Sequence, residues 1–164
     1  MKPICILLIV MIAVSSVATA QKSKRIEKEK ETKVLIESRQ YRFVAHTALP
    51  MSGRSIQLTS EYDLVVDSLQ VRSYLPFFGV AYYAEYGQAE GGIKFDNEAM
   101  EYSAIFNEKK KSYRINMKVK GKRDVYQIGL DAGVSGYATL NILSNDQQSI
   151  SFYGVIESMI VPKK

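Results

Sequence analysis

From Tyr102 to Ile156 the chain alternates apolar and polar residues in short runs, and this period most narrowly restricts what it can fold into. Tyr113, Ile115, Met117 and Val119 are interleaved with Arg114, Asn116, Lys118 and Lys120. A two-residue period sends successive side chains to opposite faces of an extended strand, one dry and one wet. Met100, Tyr102, Ala104 and Phe106 make an earlier set of the same kind, and Tyr126, Ile128 and Leu130, then Ala138, Leu140 and Ile142, then Ile150, Phe152 and Ile156 follow it. Polar turns separate them at Asn107 to Ser112, Gly121 to Asp124, Asp131 to Gly133 with Gly136, and Asn145 to Gln148. The first half is built alike. Tyr41, Phe43, Ala45 and Thr47 alternate with Arg42, Val44 and His46 up to the turn cluster Pro50 to Gly53, and Ile56 with Leu58 marks a second strand. Tyr62 to Val66 and Leu69 to Arg72 flank Asp67-Ser68 as a hairpin, and Pro76, which cannot donate to a ladder, ends the second arm. About ten short strands without a long crossover predict a mainly β fold, an antiparallel meander forming a barrel or a two-sheet sandwich.

Ahead of this series lie two segments of different character. Lys2, an apolar run from Ile4 to Val14 and the exit Ala18-Thr19-Ala20 have the order of a signal peptide cleaved after Ala20. The run is about 11 residues where spanning a bilayer takes roughly 20, so no transmembrane segment is expected after cleavage. The chain is therefore expected to be exported, to the periplasm or the exterior. Cys5, the single cysteine, leaves with the leader. A cysteine-free mature chain excludes disulfides, thiol catalysis and cysteine metal sites. Residues 21–39 alternate in charge and give way to Val34-Leu35-Ile36, which predicts a charged N-terminal helix or spacer docking through Ile26, Leu35 and Ile36. Residues 40–164 are left as a single β domain.

Charge and outward residues narrow the partners. With Lys2 removed, 21 basic residues remain of 22, against 17 acidic, too small an excess to argue for nucleic acid, which export also disfavours. A membrane barrel would place the Arg, Lys, Asn and Glu of the wet faces in lipid, at a cost of several kcal/mol.

The densest feature is Tyr74 to Tyr86, with six aromatic rings, Pro76 and Gly79, followed by Gly91-Gly92-Ile93-Lys94-Phe95. Two readings compete. In the first, Leu75, Phe77, Val80 and Tyr82 fill a core while Gly79 permits a bend. Alternatively, because neighbours such as Phe77-Phe78 and Tyr82-Tyr83 point to opposite sides of an extended segment, one of each pair faces outward as a stacking surface. On that reading the candidate ligand-binding residues are Tyr74, Phe77, Phe78, Tyr82, Tyr83 and Tyr86. The run Tyr74-Leu75-Pro76-Phe77-Phe78-Gly79, then Ala81-Tyr82, Gly91 to Phe95 and Ile150-Ser151-Phe152-Tyr153-Gly154, resembles the bacterial domain of unknown function 4251 family from about Gln40 to Glu157. The resemblance implies a secreted or envelope protein and carries no catalytic residue or activity with it.

Catalytic sets are not apparent. His46 is the one histidine and has no nucleophile-elbow serine to serve, and one histidine without cysteine does not build a usual zinc site. Asp96 to Glu101 lacks the glycine and spacing of a calcium loop and reads as a hairpin turn. Glu85 and Glu90 are the carboxylates that a glycosidase-type pair would use. Lys109 to Lys111 and Lys118 to Arg123 read as solubilising tips. The expectation is a non-catalytic exported envelope protein, without cofactor or metal, binding a ligand or protein partner through the aromatic region. The alternatives are a carboxylate-dependent envelope hydrolase and a structural protein pairing through β edges.

Overall fold

The computed structural model describes residues 23–82, 92–121 and 124–159. The leader expected over residues 1–20 lies outside them. Residues 23–38 form helix α1, whose exposed ion pairs Arg25–Glu29 and Lys28–Glu31, both 3.0 Å, contribute a few tenths of a kcal/mol each. Arg39 ends it with a left-handed φ of 56° and donates its N–H to the Ile36 carbonyl. Eight strands follow among the described residues: β1 (Gln40–Pro50), β2 (Ile56–Asp67), β3 (Gln70–Leu75), β4 (Ile93–Asn107), β5 (Ser112–Lys120), β6 (Val125–Gly133), β7 (Tyr137–Leu143) and β8 (Ile150–Glu157). Each pairs antiparallel with the next, and β8 returns to β1, so the sheet closes into a barrel. Of the two architectures the alternation allows, the barrel is the one formed, with the helix ahead of it.

The barrel is filled. Tyr41, Phe43, Leu64, Val71, Leu75, Ile93, Ile115, Leu130, Leu140 and Phe152 are each no more than 1% exposed, while Arg114, Lys118, Glu101 and Asp131 face outward in ion pairs. This is the reverse of strands that face lipid around a polar lumen. Among the described residues no helix is long and apolar enough to cross a membrane.

Two bulges break the alternation. In β1 the register slips at His46 against both β2 and β8, so the inward set Tyr41, Phe43, Ala45 continues with Ala48 in place of the expected Thr47. In β4 it slips at Met100, which is 64% exposed, and Ala99 takes the inward position expected of it. An extra residue bends and twists its strand, the deformation that a small closed barrel requires. Asp96 to Glu101 accordingly lie within β4 and not in a hairpin turn; Asp96 accepts from Gln70 Nε2 at 2.6 Å and Asn97 Nδ2 donates to the Lys120 carbonyl at 2.7 Å.

Helix α1 closes one end. Ile36 belongs to the barrel core at 1% exposure, Thr32 is buried one turn before it, and Leu35 packs partly against the core. Ile26, expected to dock as well, is 44% exposed; ten residues from Ile36, it is rotated roughly 80° off that face. Below the helix runs the β6–β7 turn, where Gly136 has φ 90° and a Cβ would come within 3.0 Å of Lys28 Cε. Glu37 accepts the Tyr113 hydroxyl at 3.1 Å, and the Arg39 guanidinium lies 4.6 Å from the Tyr102 ring centre. Burial and the Glu37 carboxylate push the Tyr113 phenol up to about 12, so it stays a neutral donor.

Candidate functional site at the barrel mouth

The other end of the barrel is covered by the aromatic segment. Leu75 is the last buried residue of β3, and Pro76 stops the ladder. The chain then leaves the sheet and crosses to the β7–β8 loop, although β3 is a neighbour of neither strand. There Tyr82 N–H donates to the Asp146 carbonyl at 2.8 Å and Gln148 N–H donates to the Val80 carbonyl at 3.1 Å, an antiparallel bridge centred on Ala81 and Gln147. The Gln148 side-chain oxygen also accepts from Val80 N–H at 3.2 Å. A Cβ on Gly79 would lie 3.0 Å from Phe77 Cζ and 3.2 Å from that same oxygen, so the close passage favours a residue without one.

This crossing decides the fate of the rings. Phe77 and Phe78 are both half-buried and pack on the core, so they do not divide into one inward and one outward ring as strand geometry would have it. Tyr82 at 59% and Val80 at 55% stay exposed on the segment, and Tyr74 at 49% faces outward from β3. The Tyr74 ring stacks on Tyr62 at 5.6 Å, with Lys94 Nζ 4.9 Å from its centre. Such a cation–π contact contributes about 0.5–1 kcal/mol at an exposed site and orients the ring. Tyr83 and Tyr86, with Glu85 and Glu90, lie outside the described residues.

The loop that receives the segment is itself fixed. Asp124 accepts from Val125 N–H at 2.7 Å, Ser144 Oγ at 2.9 Å, Asn145 Nδ2 at 3.0 Å and Asn145 N–H. Burial acts to raise this carboxyl, but the Asn145, Val125 and Ser144 hydrogen bonds outweigh it and hold it below its ordinary value. Tyr126 stacks on Phe95 at 5.1 Å beside it, its hydroxyl raised by burial and then by the charges of Asp124 and Asp146. Tyr74, Val80 and Tyr82 are thus held exposed on a preorganised rim.

Among the described residues no three His, Cys, Asp or Glu side chains cluster closely enough to hold a metal ion. His46 sits exposed on the β1 bulge.

A concavity lies elsewhere, on the outer face of β4 to β7. It is a hollow of about 540 Å³, with Asn116, Gly129 and Asn141 across its middle and the Lys118–Glu101 ion pair, 3.0 Å, on one side. In the sequence these residues carry no mark beyond the wet face of their strands. The exception is a mid-strand glycine at the same parity as Asn116 and Asn141. Two further exposed rings, Tyr137 at 72% and Tyr153 at 52%, were legible by the same parity from their buried neighbours Ala138 and Phe152.

A family model described as "Domain of unknown function (DUF4251)" matches residues 23–156, which is α1 and nearly the whole barrel. The chain belongs to the DUF4251 family. A crystal structure of a DUF4251 family protein from Bacteroides eggerthii DSM 20697 is similar to it with a TM-score of 0.64 and 15% sequence identity, covering 83% of this chain and 91% of that chain. At that identity the likeness concerns the DUF4251 fold alone. No curated protein matches the chain.

Proposed function

We propose that this DUF4251 chain is an exported, non-catalytic binding protein of the cell envelope, which engages its partner at the aromatic rim. Export rests on the leader pattern of residues 1–20. The observation that carries the binding reading is the rim itself: Tyr74, Val80 and Tyr82 remain exposed while the segment that bears two of them is strapped by two backbone hydrogen bonds to the β7–β8 loop. Apolar groups held outward on a fixed backbone suit recognition, since little ordering entropy remains to be lost on contact. The filled interior favours an external site, because a ligand entering the barrel would have to displace core side chains.

The test is the double variant Tyr74→Ala, Tyr82→Ala. Both rings are about half exposed, so its melting temperature should stay within a few degrees of wild type. Retention of detergent-solubilised envelope protein on the immobilised chain should fall at least about tenfold, the scale of losing contact hot spots. A variant that melts and binds as wild type would exclude the rim.

A further inference from the structure

We propose that the hollow on the outer face of β4 to β7 is a binding site for a neutral, hydroxyl-rich chain, an uncharged oligosaccharide. It is a separate site from the rim and does not depend on that reading. The strand registers align Ser103 with Asn116, Asn116 with Gly129, Gly129 with Asn141, and Asn141 with Ser151, so a row across five strands carries hydroxyl and carboxamide groups on four of them, with the bare Gly129 backbone at its centre. At the spacing of neighbouring strands this row is about 19 Å long, enough for several sugar rings laid end to end. The hollow over its β4 to β7 part has a volume of about 540 Å³, within the range of about 300–1,000 Å³ typical of small-ligand sites.

The chemistry of the row selects the ligand. A carboxamide both donates and accepts, as a sugar hydroxyl does, and neither carries charge. The charged residues beside the row neutralise each other in pairs. Lys118 and Glu101 meet at 3.0 Å on one side, and Arg114 Nε and Asp131 Oδ1 at 2.9 Å on the other. An ionic ligand would have to compete with these partners, whereas an uncharged one would not. Leu143 and Tyr153 flank the row on β7 and β8 at 48% and 52% exposure, giving the apolar face of a sugar ring a surface to lie on.

Gly129 is what keeps the hollow open. Its backbone is outside the left-handed region, and an added Cβ would meet only Asn116 Oδ1, at 3.9 Å, so neither conformation nor packing demands a glycine there. A glycine inside a strand weakens the strand, and the structure shows no return for it except the space above.

Both claims are tested by titrating the ¹⁵N-labelled chain, residues 21–164, with cellohexaose, maltohexaose, xylohexaose, mannohexaose and chitohexaose. At least one should shift the backbone or side-chain amides of Asn116, Gly129 and Asn141 in a saturable way. Its affinity should fall at least tenfold in Gly129→Tyr, whose ring fills the hollow, and in Asn116→Ala/Asn141→Ala, with the folded spectrum kept. Gly129→Ala, which adds only a methyl to the floor of the hollow, should weaken binding by a smaller factor than Gly129→Tyr does. The proposal is overturned if none of the five moves these amides, if Gly129→Tyr binds undiminished, or if an uncharged Ser-Asn-Gly hexapeptide shifts them where the sugars do not.

Discussion

Replacing Gly154 with alanine is expected to cost the barrel about 3 kcal/mol or more, and a bulkier residue there should prevent folding. Gly154 is buried on β8, opposite Ala45 of β1 and Ala138 of β7, where β1 bulges at the seam of the barrel. A Cβ at this position would overlap the Val44 carbonyl oxygen and lie 2.9 Å from Phe43 Cζ. The first of these neighbours is backbone, which cannot turn aside, so relief would require β8 and β1 to part. The measurement is urea denaturation of Gly154→Ala beside Gly129→Ala, whose added methyl meets ordinary space and should leave the midpoint no lower than that of the wild type. Equal midpoints for the two variants would mean that the seam is looser than described.

The second large effect concerns α1. Ile36→Ala should lose about 2–4 kcal/mol, because it removes buried carbons from the plug of one barrel end and leaves a cavity that the rigid sheet cannot collapse into. Val34, two residues earlier and 64% exposed, provides the contrast: Val34→Ala should change stability by no more than about 0.5 kcal/mol. Thermal melts of the two variants would separate a structural plug from a solvated spacer. For a chain of this size the expected fall for Ile36→Ala is about 5–15 °C. If both variants melt together, α1 is dispensable to the barrel.

Where alternation was strict, the sequence carried the structure. The inward sets of β5 and β7, and Ile128 with Leu130 on β6, could be read directly from a period of two. The bulges escaped for a physical reason: a one-residue slip in β1 exchanges Thr47 for Ala48, both small, and in β4 the apolar Met100 looked a better core residue than Ala99. Asp96 to Glu101 read as a turn by composition, yet within β4 its polar side chains find partners on both neighbouring strands. Closure itself rests on β1 pairing with β8, a contact across more than a hundred residues that no local period encodes.

The rim was legible only in part, and for the same kind of reason. Parity arguments hold inside a sheet, and the chain leaves the sheet at Pro76. Beyond that point the direction of each ring is set by how the segment crosses the mouth, so Phe77 and Phe78 both turn toward the core. Tyr74, still on β3, kept the outward direction that parity assigns to it.

Hydroxyl-radical footprinting of the tyrosines, with and without solubilised envelope protein, puts the proposed recognition surface to the most direct trial. In the free chain Tyr74, Tyr82, Tyr137 and Tyr153 should react and Tyr41 and Tyr113 should not, following their exposure. When envelope protein is added, Tyr74 and Tyr82 should become protected while Tyr137 keeps its reactivity. Unchanged reactivity at Tyr74 and Tyr82 beside protection of Tyr137 would place the contact on the far side of the barrel and contradict recognition at the mouth.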